Sequence, residues 1–189
     1  MKISSAASRS FVLLTIVVAM MAVIGPNAKG TVKTPWNNFV PDGQGFSVLM
    51  PGTPMVKEVH TKSFIGELTT HEYDANDGLD TYSVDFTDLP GFAVSFAGSD
   101  TIYEHAKGAL LKETLSKGIS FTDVTLNGVK GKRLVYDTPT KPDHPEMEGE
   151  ARFFLFGDRL YGADAVVEMN GGKEKLGRFF SSLAITNKH

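Results

Sequence analysis

The sequence predicts an α+β fold: an antiparallel β-sheet of about seven to eight strands, with a mid-chain helix and a C-terminal helix packed on it. Three observations carry that reading. Phe153 to Ile185 runs as apolar strand, Gly157-Asp158 turn, strand and amphipathic helix, the densest apolar stretch after residue 30. Asn127-Gly128 stands between two strand-like runs and is the strongest short signal for a hairpin. Thr81 to Thr87 sets Tyr82, Val84 and Phe86 against Ser83, Asp85 and Thr87, the period of two expected of a strand with one buried face. The strands come in runs and the helices are segregated, which argues for α+β over alternating βαβ units.

The chain has 189 residues, and its first thirty read as a targeting segment. Lys2 and Arg9 form a basic start, and Phe11 to Gly25 is apolar except for Thr15. That run is shorter than the roughly 20 residues a membrane-spanning helix needs. Small residues at Ala28 and Gly30 make cleavage before Thr31 the expectation. Residues 1–30 are therefore expected to be a signal peptide, 31–45 an N-terminal extended segment and 46–189 a single α+β domain. A periplasmic or secreted location follows, with no membrane span after cleavage.

Removal of Lys2, Arg9 and Lys29 leaves 16 basic against 22 acidic residues. An acidic chain without a dense basic run is a poor match for nucleic acid, whose phosphates demand clustered Lys and Arg. The sequence has no cysteine, which excludes disulfides, thiolate metal sites and thiol catalysis.

From Thr31 to Gly45 the chain is rich in Pro, Gly and Asn, with Trp36 and Phe39 as its anchors. Phe46 to Met50 is a short apolar strand stopped by Pro51-Gly52-Thr53-Pro54. Met55–Lys62 and Leu68–Asp74 read as two polar strands at a sheet edge, joined by a turn on Ile65-Gly66. Asn76-Asp77-Gly78 is the next turn. Leu89-Pro90-Gly91 breaks the strands. A helix of about five turns is expected from Ser99-Asp100-Thr101 to a stop at Gly118, with a capping box at Thr101 to Glu104 and an apolar face of Ile102, Ala106, Ala109, Leu110 and Leu115. Strands Phe121–Leu126 and Val129–Tyr136 follow, then a proline-rich loop at Thr138–Pro145, then the hairpin Met147–Phe156 and Arg159–Val167. Gly171-Gly172 opens the last helix, whose apolar stripe is Leu176, Phe179, Phe180 and Leu183.

Phe46, Val48 and Met50 to Pro54 form a Phe-x-Val-x-Met-Pro-Gly-x-Pro opening strand. With Asp158, Leu160, Tyr161 and the Phe180-Ser181-Ser182 ending, that pattern resembles the PsbP/DcrB-like fold. The group includes the extrinsic PsbP protein of photosystem II and many exported bacterial proteins. The resemblance covers most of the chain after the leader. Its motifs are structural, so it implies a fold and no catalytic residue. Photosynthetic PsbP proteins assist an oxygen-evolving complex, but nothing in this sequence points to a photosystem.

Chemistry-bearing residues are sparse. With a turn on Ile65-Gly66, His60 and His71 would face each other directly, close enough to share a metal, with Tyr73 and Glu58 on the same face. A closed site needs three or four ligands, so solvated histidines are the competing reading. Asp143-His144-Pro145-Glu146 lies in a loop without the fixed geometry of an acid/base pair. Lys130 to Arg133 is the sole basic cluster; in a strand its side chains alternate between faces, which reads as a solvated edge. Asp164 sits mid-strand among small and apolar residues, where burial demands a partner, with Arg152 the candidate. No nucleophile elbow or phosphate loop occurs.

Catalytic residues and cofactors are accordingly expected to be none. The leading expectation is a monomeric, non-enzymatic exported protein that contacts an envelope partner through Met55–Asp74 and Thr138–Glu146. The alternative is a periplasmic module that binds a small molecule or metal in a groove between helix and sheet.

Overall fold

A computed structural model describes residues 34–63, 66–140 and 144–186. The expected signal peptide, 1–30, lies outside the described residues, as do the first three residues of the extended segment. The strands are β1 (Trp36–Phe39), β2 (Phe46–Pro51), β3 (Met55–Ser63), β4 (Gly66–Asp77), β5 (Asp80–Asp88), β6 (Lys117–Leu126), β7 (Val129–Asp137), β8 (Met147–Phe156), β9 (Arg159–Glu168) and β10 (Ala184–Ile185). The helices are α1 (Gly91–Ala97), α2 (Ser99–Glu113) and α3 (Gly172–Ser182). The architecture is α+β, as expected. A seven-stranded sheet has the order β3-β4-β5-β9-β8-β7-β6, and every pairing in it is antiparallel. A second, three-stranded sheet has the order β1-β2-β10.

Alternation along the strands sends side chains to two faces. On the first, Tyr73, Tyr82, Val84, Phe86, Phe154, Tyr161, Ala163, Ala165 and Val167 are buried with α3 and the small sheet. Leu176, Phe179, Phe180 and Leu183 supply the helix side, in the register the sequence predicts. A buried side chain of this kind contributes about 1.5–3 kcal/mol. Alanines at 163 and 165 hold that face of β9 low beneath the helix. Trp36 and Phe39 do anchor the N-terminal segment, whose residues Trp36–Phe39 pair as β1 with β2. Ala184-Ile185 is a further difference: it forms β10, antiparallel to β2. The Ser182 hydroxyl donates to the Phe179 carbonyl at 2.7 Å and accepts the Leu49 N–H at 2.8 Å, tying the end of α3 to β2.

The second face is covered by α2 over β7 and β8. Tyr103 and Ala106 pack with Leu134, Tyr136, Ala151 and Phe153. The Tyr103 hydroxyl donates to the Lys130 carbonyl and accepts the Leu155 N–H, so one buried phenol fixes the helix to two strands. Tyr103, not Ile102, is therefore the inward residue. The helix is shorter than expected. It ends at Glu113, and Leu115 takes a left-handed φ of 53° and is exposed. Gly118 belongs to β6. The expected capping box is not formed: Gly98 is the N-cap, and Glu104 pairs with Lys107 one turn on. Pro90 and Gly98 bracket the short α1, an unexpected helix that starts at the end of the expected Leu89-Pro90-Gly91 break. Asn127 and Gly128, with φ of 50° and 81°, make the expected two-residue turn between β6 and β7.

Candidate functional site

The most unusual polar feature is a row of carboxylates on the second face, beyond the cover of β7 and β8. The β4–β5 register sets Glu72 directly opposite Asp85, and Asp74 opposite Ser83. The β5–β9 register sets Asp85 opposite Gly162 and Ser83 opposite Asp164. Like charges directly opposed across a strand pair repel. Room for them comes from Gly162: a Cβ there would lie 2.4 Å from Oδ2 of Asp85, so the Asp85 carboxylate rests on bare backbone.

Glu72 is 2% exposed, and its Oε2 has no hydrogen-bond partner among the described residues. Lys57 on β3 pairs instead with Asp74, at 2.6 Å. Burial and the Asp74 charge push the Glu72 carboxyl up to about 7, against the pull of Lys57. Burial and then Glu72 push Asp85 up to about 7. Burial also raises Asp164 to about 7, although the Tyr136 hydroxyl donates to its Oδ1 at 2.7 Å and works the other way. Glu113, from the end of α2, adds its negative charge to all three. Burial and mutual repulsion thus favour the protonated form of all three carboxyls. Among the described residues no three His, Asp or Glu converge to hold a metal.

Arg152 is not the partner of Asp164. Ala151 is the residue opposite Asp164, so Arg152 points to the other face, where it pairs with Glu150. His60 and His71 are not directly opposed either. Ser63 pairs with Gly66, which shifts the hairpin register from that of a turn on Ile65-Gly66. His60 therefore faces Thr69, with Nδ1 3.0 Å from Oγ1, and His71 faces Glu58, with Nδ1 3.2 Å from Oε1. The two imidazoles are diagonal neighbours on one face, and His71 is stacked on Phe86. In the Asp143–Glu146 motif, Asp143 lies outside the described residues, and His144 and Glu146 are exposed.

The basic cluster is not at an edge: β7 lies between β6 and β8. Its side chains do alternate. Lys132 meets Asp123 and Asp100 on the face of α2, and Arg133 meets Glu150 on the face of α3. Glu72 and Asp85 are not among the residues that stand out in the sequence. Their signal is the alternation of Thr70, Glu72 and Asp74 with His71, Tyr73 and Ala75, together with the mid-strand Gly162.

The antiparallel sheet with α3 on one face and α2 on the other is an α+β fold of the PsbP-like type. The solution structure of cyanobacterial PsbP (CyanoP) from Synechocystis is similar in fold over 86% of this chain and 98% of that one, with a TM-score of 0.54 and 12% sequence identity. A Pseudomonas aeruginosa protein of unknown function, described as a putative regulator, matches over 75% of this chain and 93% of that one, at 7% identity and a TM-score of 0.36. No protein-family model and no curated protein matches the chain. Among the described residues no helix is long and apolar enough to cross a membrane.

Proposed function

We propose that this chain is an exported, non-enzymatic accessory protein that binds a partner in the cell envelope or assists its assembly. The observation that carries the reading is β3. It forms one end of the seven-stranded sheet, and among the described residues no strand pairs with its outer side. Met55 and Val56, at its start, are 56% and 59% exposed. An edge strand with exposed apolar side chains offers both backbone and side-chain contacts to an added strand. The PsbP-like fold supports an accessory role, and the lack of a nucleophile motif supports action by contact. The exposed residues His144 to Glu146, at the end of the proline-rich loop, form the second contact region of this reading. Residues 1–30 serve as the export signal and 46–189 as one domain.

The test is site-specific photocrosslinking in the source organism. A crosslinker at Val56 should give a discrete adduct in the envelope fraction, and one at the exposed Lys112 of α2 should not. Adducts of equal yield from both positions, or none from Val56, would remove the basis of the proposal. N-terminal sequencing of the same material should begin near Thr31.

A further inference from the structure

On the face of the sheet that carries α3, a groove separates that helix from β7 and β8. It encloses about 290 Å³ and is lined by Arg133, Glu150, Arg152, Lys173 and Leu176, among others. Arg133 and Arg152 are directly opposed across β7 and β8. Between them lies one carboxylate, Glu150, which is 4% exposed. It accepts from Nη2 of Arg133 at 2.6 Å and from Nε of Arg152 at 2.8 Å, and Nη2 of Arg152 makes an ion-pair contact with it at 2.8 Å. Burial disfavours the Glu150 ion, but the two guanidiniums outweigh that and hold its pKa below the usual range. Arg152 is also stacked over Phe180, 4.3 Å from the ring centroid. Both guanidiniums are thus fixed in place before any ligand arrives.

The charges do not balance. One buried carboxylate faces two guanidiniums, and Lys173 adds a third cation at the first turn of α3. Glu148, at the far end of the groove, stands against Gly172: a Cβ there would lie 2.8 Å from Oε1 of Glu148. Five charged groups therefore line the groove, three positive and two negative, in a chain that is acidic as a whole. Glu150 uses one nitrogen of Arg133 and two of Arg152. The remaining guanidinium N–H groups have no protein acceptor among the described residues. Guanidinium forks match the oxygens of carboxylate and phosphate. Leu176 and Val135 supply apolar wall beside them.

We infer that this groove binds the oxyanion of a small ligand, a carboxylate or a phosphate, through Arg133, Arg152 and Lys173. The inference goes beyond the accessory role, since it concerns neither β3 nor the proline-rich loop, and either reading can fail alone. The test follows backbone amide and arginine Nε–Hε resonances by NMR during separate titrations with inorganic phosphate and with butyrate. Saturable shifts at Gly149, Gly177 and the two arginines are expected with at least one probe, and the better binder identifies the anion class. Arg133→Gln should weaken that binding about tenfold and lower the thermal midpoint, since it leaves the buried Glu150 with Arg152 alone, so the exposed Lys173 carries the test that is free of a folding effect. Lys173→Ala, on an exposed position, should weaken it with no effect on folding. Non-saturating shifts spread over surface lysines, wild-type affinity in both variants, or no response to either probe at millimolar concentration would overturn the inference.

Discussion

The Tyr136 hydroxyl reaches across the whole of β8 to donate to Oδ1 of Asp164 on β9, at 2.7 Å. Burial drives Asp164 up to about 7 in spite of that bond, as it does Glu72 and Asp85. In the unfolded chain such groups titrate at 3.8 (Asp) and 4.5 (Glu). Between those values and about 7 the folded state binds more protons than the unfolded state. Stability therefore falls as pH rises through that window. Thermal midpoints should be higher at about pH 5 than at about pH 8. The opposing group Glu150, held low by its arginines, loses its contribution only at more acid pH. Glu72→Gln should raise the midpoint at the alkaline end and flatten the profile. A profile that rises from acid to neutral in the wild type would contradict this account.

Tyr82 presents the converse case of a buried polar atom. Its side chain is 1% exposed, and its hydroxyl has no hydrogen-bond partner among the described residues. The ring packs edge-on to Trp36 and against Phe179. Tyr82→Phe keeps those contacts and removes the unpaired hydroxyl, so it should leave stability unchanged or raise it by about 1 kcal/mol. Chemical denaturation gives the sign directly; a loss above that size would mean the hydroxyl has a partner.

Much of this fold was legible from local pattern. The α3 stripe follows helical spacing, and Asn127-Gly128 dictates its own turn, because both depend on neighbours in sequence. The carboxylate row was not legible for the opposite reason. Glu72 and Asp85 lie in polar alternations that read as solvent-facing, and only the sheet order makes β4 an interior strand. The partner of Asp164 was missed because it stands two strands away, reached over a glycine. His60 and His71 were misplaced by the position of one turn, which sets the register of the whole hairpin. The helix α1 was missed although Pro90 and Gly98 are the residues that favour helix ends.

Phe180 tests the packing of α3. It is 3% exposed and carries Arg152 on its ring. Phe180→Ala should cost about 3–5 kcal/mol, read as a lower denaturant midpoint. Because the ring also fixes Arg152, the variant should weaken oxyanion binding in the groove. An unchanged midpoint would mean that α3 is not docked in this register.

The histidine hairpin makes a separate prediction about metals. Nδ1 of His60 meets Thr69, Nδ1 of His71 meets Glu58, and the rings are diagonal rather than opposed. Two imidazoles without a converging third ligand make a poor zinc site. Calorimetric titration with zinc should reveal no binding tighter than micromolar. Tight stoichiometric binding that disappears in the His60→Ala/His71→Ala double variant would establish a metal module in place of this view.

Gly149 explains how Tyr136 spans β8 at all. Tyr136 is opposite Gly149, and a Cβ there would lie 2.2 Å from the Cζ of the ring. The phenol thus lies flat on bare backbone, and it is fully buried, so it has nowhere to move. Gly149→Ala should force the ring away and break the bond to Asp164, at a cost of about 1–3 kcal/mol from overpacking. Gly108→Ala serves as the comparison: its Cβ would meet nothing within 4 Å in the helix α2, so it should stabilise by about 0.5–1 kcal/mol. The decisive measurement is a double-mutant cycle. In a Tyr136→Ala background the ring is gone, and Gly149→Ala should then cost much less than in the wild type. Equal costs in both backgrounds would show that the glycine is required for something other than the path of Tyr136 to Asp164.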